Sequence, residues 1–290
     1  MIIRVFDMLP RYDIVHKAGL VCKAWLALTR YPQLWTTLDH QNGLKSISIR
    51  IKNMDDLLGL LRRRQFTSLK TLSPPSTVFL RKNALSEIAE SCPLLEEINL
   101  GCSLRCHMKP TRQYLLDTVS IFPHLSKIRF NNSRIMDDDI RLFCVRMGDR
   151  LREIRIEDET TKHDDHQLTN KTLRIIGRHC PNLELFQYTY NHHDISRQNP
   201  FTAKGIISLL TRCTKLRSLA LIRNEHIGLN AFEFILEDSV KLERLFVVDH
   251  EQLKKNKKLC KRLSQKLRLL QILTKKEHEE RILKRPTYWW

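Results

Sequence analysis

Two loops of the chain carry the residue types that most often bind metal ions. One contains Cys102, Cys106 and His107, and the other contains His-Asp-Asp-His at residues 163–166. Thiolates and imidazoles in this number would suit zinc, but structural zinc sites usually present two cysteines separated by two residues. Neither loop has that spacing. We therefore interpret both loops as polar insertions and expect neither a metal nor any other cofactor.

A run of carboxylates, Asp137 to Asp139, is the other candidate for chemistry. Neighbouring carboxylates can act as a general acid and a general base. Here they open a segment with helical periodicity, where the helix dipole favours negative charge, and that explains them without catalysis. The eight glycines form no phosphate-binding loop, and no Gly-x-Ser-x-Gly element occurs. The sequence therefore predicts that the protein is not an enzyme.

The elements that would position any site form a repeat. The pattern Leu-x-x-apolar-x-apolar, degraded in its second copy, recurs at intervals of 25 to 33 residues, which is typical of leucine-rich repeats. Its copies start at Leu44, Leu69, Leu95, Leu125, Leu151, Leu183, Leu216, Leu242 and Leu267. Three longer intervals contain polar loops, at residues 101–112, 157–168 and 189–200.

A segment with helical periodicity precedes the strand pattern in the repeats, as at residues 83–92, 170–180 and 202–213. The predicted helix caps are Asn83, Asp137, Asn170 and Thr202. The residue three before the repeat leucine is Cys92, Phe122, Cys180 or Cys213, which predicts small apolar core residues between helix and strand. The fold class is therefore α/β. Stacked copies predict a solenoid with parallel strands on its concave face and helices on its convex face.

The concave face is predicted from the residues that alternate with the buried strand positions. These residues are charged in the first half of the solenoid and apolar in the second half. A partner protein or the chain's own C-terminal residues Tyr288, Trp289 and Trp290 would have to cover such an apolar patch. The candidate substrate-binding residues on this face are Lys127, Arg129, Arg155, Ile222, Phe246 and Val248.

The first forty residues present more apolar surface than a simple end cap needs. One helix is predicted there with apolar residues at spacings of three and four: Ile14, Ala18, Val21, Trp25 and Leu28. So small a unit forms only a small core of its own. We therefore expect it to share this stripe with the first repeat and with a separate protein.

The same residues carry a resemblance to a known family. The elements V-F-D-M-L-P, L-V-C-K-A-W and P-Q-L-W, within Ile2 to Asp39, resemble an F-box, the module by which substrate receptors dock onto the Skp-type adaptor of cullin-RING ubiquitin ligases. With the cysteine-containing repeats, the chain is identified as similar to F-box/leucine-rich-repeat proteins, and residues 215–245 are similar to the plant branch. The family's motif usually opens with Leu-Pro and an acidic residue ahead of the position of Ile2, so we expect a shortened F-box.

The resemblance implies a short three-helix F-box at residues 1–40, a leucine-rich-repeat solenoid at 41–273 and a basic, aromatic tail at 274–290. It also implies a receptor that joins cullin and RING subunits through the adaptor and holds an unknown protein substrate. The resemblance assigns adaptor docking, or support of the docking helices, to Phe6, Leu9, Pro10, Leu20, Val21, Cys22, Trp25 and Trp35. The alternatives are a repeat scaffold without ligase assembly that engages an acidic partner, and a small ligand in the concave face.

Charge and composition bear on partners and location. The net charge is +18, and the last forty residues carry 13 Lys and Arg against 4 Asp and Glu, a local excess of +9. We interpret the basic run as a solvated helix or a surface for an acidic partner. No aromatic residue interleaves it between Lys254 and Lys276, so nucleic acid is not expected. The absence of an 18-residue apolar stretch and of a signal-peptide pattern predicts an intracellular protein of the cytoplasm or nucleus with reduced cysteines.

Overall fold

The computed structural model describes residues 37–39, 58–59, 69–73, 82–100, 112–131, 135–158, 168–190, 201–225, 227–237 and 241–278. All eight predicted adaptor-docking residues, both candidate metal loops and the residues Tyr288 to Trp290 lie outside these ranges.

Within these ranges, the strands form a single parallel sheet whose strand order follows the chain order. Because consecutive strands are neighbours throughout, the sheet has one edge at each end, and no strand from another part of the chain is inserted between them. The strands are β1 Thr37–Asp39, β2 Thr71–Ser73, β3 Glu97–Asn99, β4 Lys127–Asn131, β5 Glu153–Asp158, β6 Leu185–Tyr190, β7 Ser218–Ile222, β8 Arg244–Val248 and β9 Leu269–Leu273.

A helix precedes each strand from β3 onward, and two short helices precede β9. Consecutive helices pack side by side and form the second layer of the solenoid. The helices are α1 Lys82–Ser91, α2 Arg112–Ile121, α3 Asp137–Met147, α4 Asn170–His179, α5 Ala203–Arg212, α6 Asn230–Glu237, α7 Glu251–Lys255 and α8 Lys257–Lys266. A 3-10 turn, Gly148–Arg150, follows α3. This architecture confirms the predicted α/β solenoid. Its first strand differs from the prediction, because β1 pairs directly with β2 and lies before the predicted copy at Leu44, within the residues 1–40 predicted for the F-box.

One continuous core lies between the sheet and the helices. Every described repeat leucine is buried in it, from Leu69 to Leu267. The inward positions of the longer strands add aliphatic and aromatic side chains, such as Ile154 and Ile156 of β5 and Phe186 and Tyr188 of β6. A single repeat could not bury its apolar face, and stacking supplies the missing neighbours.

The predicted cysteine positions are confirmed as core positions. Cys92, Cys180 and Cys213 are buried free thiols, and Phe122 takes the equivalent place. In each of these four repeats the carbonyl of this residue accepts a hydrogen bond from the repeat-leucine amide, at 2.9 to 3.3 Å. This is a β-turn, and proline follows the first residue in three of the four copies, where its fixed φ is favoured. Burial raises the pKa of both Cys92 and Cys213 to about 12, so these thiols are protonated at neutral pH.

Three of the predicted helix caps are displaced by one residue or more. Lys82, Asp137 and Asn170 are already helical, so Asn83, Asp137 and Asn170 do not occupy the cap position. Thr202 does precede α5, but its side chain makes no capping hydrogen bond. The polar residues before each apolar run thus predict the helix starts only to within one or two residues, because more than one residue near each start fits the capping pattern.

The displaced residues connect neighbouring repeats instead. The Asp137 carboxylate accepts hydrogen bonds from the Thr169 amide at 3.0 Å and from the Thr169 hydroxyl at 2.6 Å. One repeat further, Asn170 donates to the Thr202 hydroxyl at 2.9 Å and accepts from the Thr202 amide at 3.0 Å. Gly205 makes room for this contact, since a Cβ there would lie 2.1 Å from the Asn170 side-chain oxygen. Polar side chains thus set the spacing of the helix N-termini.

Candidate functional site

The concave face of the sheet consists of three rows of side chains that run across the strands. Parallel pairing without offsets keeps outward residues of successive strands next to each other, and each row joins equivalent positions of the repeats. One row contains Glu97, Lys127, Glu153, Leu185, Ser218, Arg244 and Leu269; the second contains Asn99, Arg129, Arg155, Gln187, Ala220, Phe246 and Gln271; the third contains Asn131, Glu157, Thr189, Ile222, Val248 and Leu273.

The first half of this face is an ion-pair network. Lys127 Nζ lies 2.7 Å from Glu153 Oε1, and Arg155 Nη2 lies 3.0 Å from Glu153 Oε2. Arg129 pairs with Glu97 through its Nε atom. Arg129 and Arg155 are direct cross-strand neighbours, so each needs its own carboxylate to offset their repulsion. The predicted substrate-binding cations are therefore close together, but their charges are already partly neutralised within the chain.

The pKa of two members of this network is displaced. Burial opposes ionisation of Glu153, but Lys127 and Arg155 outweigh it, and the pKa of the carboxyl lies below its ordinary value of 4.5. Burial, with Arg129 nearby, lowers the pKa of Arg155, although the Glu153 carboxylate acts against this. Arginine remains charged at neutral pH even so. Both groups are thus ionised and mutually dependent under physiological conditions.

Replacing Glu153 by glutamine should lower the free energy of unfolding by about 2 kcal/mol at pH 7, because it leaves Lys127 and Arg155 without their shared carboxylate. A depressed folded-state pKa stabilises the fold above the unfolded pKa, and this stabilisation is lost as pH falls through the folded pKa. The difference between the two chains in urea unfolding should therefore vanish under acid conditions. The exposed Glu184, paired with Arg152 at 3.8 Å, provides the control: Glu184→Gln should cost less than about 0.5 kcal/mol. A pH-independent Glu153→Gln effect would contradict the ion-pair explanation.

Four buried polar atoms on the concave face have no hydrogen-bond partner among the described residues. They are Arg155 Nε, Gln187 Oε1, Ser218 Oγ and Arg244 Nε. Arg155 and Gln187 are cross-strand neighbours in one row, and Ser218 and Arg244 are cross-strand neighbours in another. Buried polar atoms normally have a hydrogen-bond partner. A group of four such atoms without one, on the consecutive strands β5 to β8, is therefore unusual. Strand alternation predicts that these residues lie on the concave face. It does not predict that they are neighbours, because that depends on the register between strands.

The second half of the face is an apolar patch, which we define as Ala220, Ile222, Phe246, Val248 and Leu273. Its side chains point away from the main core, and yet Phe246 is 3% exposed and Val248 is 0% exposed. The His278 ring, in a helical turn that follows β9, lies 5.7 Å from the Phe246 ring. The patch is therefore closed to solvent in the folded chain, and a partner that reaches Phe246 must first displace what covers it.

Metal ligation and membrane insertion receive no structural support in the described part of the chain. No group of three or more His, Cys, Asp or Glu side chains there is arranged around a possible metal position. None of the helices in the same ranges has the length and apolarity needed to cross a bilayer.

The family comparison concerns the N-terminal segment. A family model described as F-box-like matches residues 1–41. The chain joins an F-box-like segment to a leucine-rich-repeat solenoid. The F-box-like segment includes all eight residues that the sequence predicts for adaptor docking, and the concave face includes all six predicted for substrate binding. No curated protein matches the chain.

Comparison with solved structures gives matches of low sequence identity, including the following three. The leucine-rich repeat-containing protein LegL7 from Legionella pneumophila is 14% identical, with a TM-score of 0.45 and coverage of 83% of both chains. The TLR13–ssRNA13 complex is 15% identical, with a TM-score of 0.42 and coverage of 63% of this chain and 26% of that one. The Rad7 and Elc1 complex in yeast is 17% identical, with a TM-score of 0.39 and coverage of 68% and 58%. The fold assignment itself rests on the repeat and the strand register.

Proposed function

We propose that this protein is the non-catalytic substrate-recognition subunit of an SCF-type ubiquitin ligase. The observation that carries the proposal is the F-box-like match over residues 1–41, next to a repeat solenoid. The F-box-like segment docks onto a Skp-type adaptor, which connects it to cullin and RING subunits in the cytoplasm or nucleus. The solenoid holds a target protein, so that the chain contributes proximity and orientation rather than bond chemistry.

Adaptor docking in this proposal uses the apolar stripe of the first forty residues. Trp25 of this stripe and Leu20, which precedes the stripe residue Val21, are its central residues, because a few large anchors carry most of the binding energy of helix-mediated interfaces. Phe6, Leu9, Pro10, Val21, Cys22 and Trp35 complete the docking surface or hold its helices together. The domain limits of this assignment are residues 1–40 for the docking module, 41–273 for the solenoid and 274–290 for the tail.

Target binding in this proposal uses the concave face. The unpartnered atoms of Arg155, Gln187, Ser218 and Arg244 are buried, and they become available to a bound peptide segment when the side chains that cover them move. Lys127 and Arg129 lie beside them. Ile222, Phe246 and Val248 offer an apolar anchor site once their cover has moved. An interface with a buried aromatic centre and a polar rim is the usual arrangement for specific protein recognition.

A pull-down with a Skp-type adaptor tests this function. The unmodified chain should retain the adaptor, and the Leu20→Ala, Trp25→Ala double variant should bind at least about 100-fold more weakly. The matched control removes two exposed apolar side chains from the solenoid, Leu94→Ala with Leu269→Ala, and should bind like the unmodified chain. Thermal unfolding of both variants establishes that they fold. A double variant that folds and binds normally would reject the assigned docking residues, and failure of the unmodified chain would favour a scaffold without ligase assembly.

A further inference from the structure

A groove on the convex side of the solenoid, remote from the concave face, is lined by positive charge. It lies over the consecutive helices α3, α4 and α5 and encloses about 730 Å³. Five cationic side chains line it: Arg141, Lys171, Arg174, Arg178 and Arg212. No carboxylate is among its lining residues, so most of its charge is not compensated within the groove. Closely spaced charges of one sign create a field that attracts the opposite charge.

The arginines of this groove are also unpaired. Lys171 pairs with Asp138 at 3.1 Å, at the margin of the groove. Arg141, Arg174, Arg178 and Arg212 make no ion pair with any residue in the described part of the chain. Two other arginines of the solenoid differ in this respect: Arg152 pairs with Glu184 at 3.8 Å and Arg217 pairs with Glu243 at 2.7 Å. The groove thus holds four arginine side chains whose donors remain available to a partner.

Helix stability does not account for this arrangement. Arg178 and Arg212 lie in the last turns of α4 and α5, where positive charge is favourable. Lys171 and Arg174 lie in the first half of α4, where it is not. Like charges three and four residues apart, as in Lys171, Arg174 and Arg178, also repel one another along the helix. A selection for stability alone would have interspersed acidic residues here.

The floor of the groove is apolar. Val145 is 51% exposed and is one of three exposed large apolar residues among the described positions, and Ile175 lies beside it with most of its surface buried. Gly177 allows the Arg212 side chain to cross from α5 to α4, since a Cβ at Gly177 would lie 3.0 Å from Arg212 Cβ. The surface therefore combines unpaired guanidinium groups with an accessible aliphatic side chain.

We propose that this groove binds an acidic peptide segment of a partner protein, with Asp or Glu side chains on both sides of an aliphatic residue. The carboxylates pair with the arginines, for which the planar guanidinium is well suited, and the aliphatic side chain covers Val145. A peptide fits better than a single-stranded nucleic acid because His179 is the one aromatic ring among the lining residues, and stacking of successive bases needs a row of such rings. This site is independent of the proposed ligase role and lies on the opposite side of the sheet from the target face.

Fluorescence anisotropy with the full chain tests the proposal. The probe is a fluorescein-labelled synthetic peptide of Glu and Asp residues with one central leucine. Charge reversal at Arg174→Glu with Arg178→Glu should weaken binding at least about tenfold, because both groups face the probe directly. The matched control, Lys204→Glu with Lys241→Glu, makes the same change in net charge at two exposed lysines outside both the groove and the basic run of the last forty residues, and should change binding less than about twofold.

Three outcomes would overturn the inference. Equal losses in the groove variant and the control variant would show attraction by net charge alone. An oligonucleotide of the same charge that binds more tightly than the peptide, and is lost in the groove variant, would make this a nucleic-acid site. The unmodified chain should bind a peptide with serine in place of leucine more weakly than the leucine peptide, whereas a Val145→Ser variant should bind the two peptides equally. If the unmodified chain also binds them equally, the apolar part of the site is rejected. If the charge reversal unfolds the chain, Arg174→Gln with Arg178→Gln replaces it.

Discussion

Replacing Phe246 by aspartate should lower the free energy of unfolding by about 4 kcal/mol, as burial of an unpaired charge in a core would. Phe246 occupies an outward position of β8, where a freely accessible concave face would tolerate a carboxylate. Its 3% exposure and the His278 ring at 5.7 Å indicate that the site is closed. Urea unfolding followed by circular dichroism measures the change.

The control for this experiment is Leu269→Asp on the neighbouring strand β9. Leu269 lies on the same face and is 37% exposed. Its replacement introduces the same charge into an open position and should cost less than about 1 kcal/mol. If Phe246→Asp proves as mild as Leu269→Asp, the apolar patch is open in solution. The face would then be available to a target without any displacement of the chain's own residues.

Replacing Phe201 by alanine should lower the free energy of unfolding by about 4 kcal/mol, through lost apolar burial and the cavity that remains. Phe201 lies two residues before the start of α5 and is fully buried. Its ring lies 4.3 Å from that of Tyr188 and 6.4 Å from that of Phe186, both inward residues of β6. Aromatic pairing at these distances contributes beyond the buried area. Phe201 therefore closes the core where the chain returns from residues 191–200.

The matched control for Phe201 is Leu94→Ala in the turn between α1 and β3. Leu94 is a large apolar residue that is 47% exposed. Its truncation should cost less than about 1 kcal/mol, because little apolar surface returns to water. Hydrogen exchange should show the loss from Phe201→Ala first in β6 and α5, as nearest-neighbour coupling in a solenoid requires. A mild effect of Phe201→Ala would mean that the aromatic cluster repacks.

The solenoid could be predicted from the sequence because the same pattern of buried residues recurs in successive repeats. A leucine and a cysteine or phenylalanine three residues before it recur together, and the structure shows the reason in one shared turn. The outward rows of the sheet were also predictable, since parallel strands without bulges preserve alternation from copy to copy. The predicted substrate-binding residues Arg129 and Arg155 are direct cross-strand neighbours for this reason.

Other features depend on contacts between repeats, which a single sequence does not display. The salt-bridge partners Glu97 and Glu153 follow from strand register, not from any motif. The closure of the apolar patch depends on the path of the chain after Leu273. The convex groove arises where α3, α4 and α5 bring cations from separate repeats together. Phe201 was not selected because it stands next to a polar loop and outside the repeat pattern.

Calorimetric titration of the unmodified chain with a Skp-type adaptor is the decisive experiment for the proposed receptor role. The proposed receptor role predicts saturable binding of one adaptor per chain, with a negative heat-capacity change from burial of the apolar stripe in residues 1–40. The same titration should be unchanged by Phe246→Asp in any preparation that remains folded, because the two ends of a solenoid interact only through intervening repeats. If the unmodified, folded chain does not bind the adaptor, the proposed receptor role is wrong.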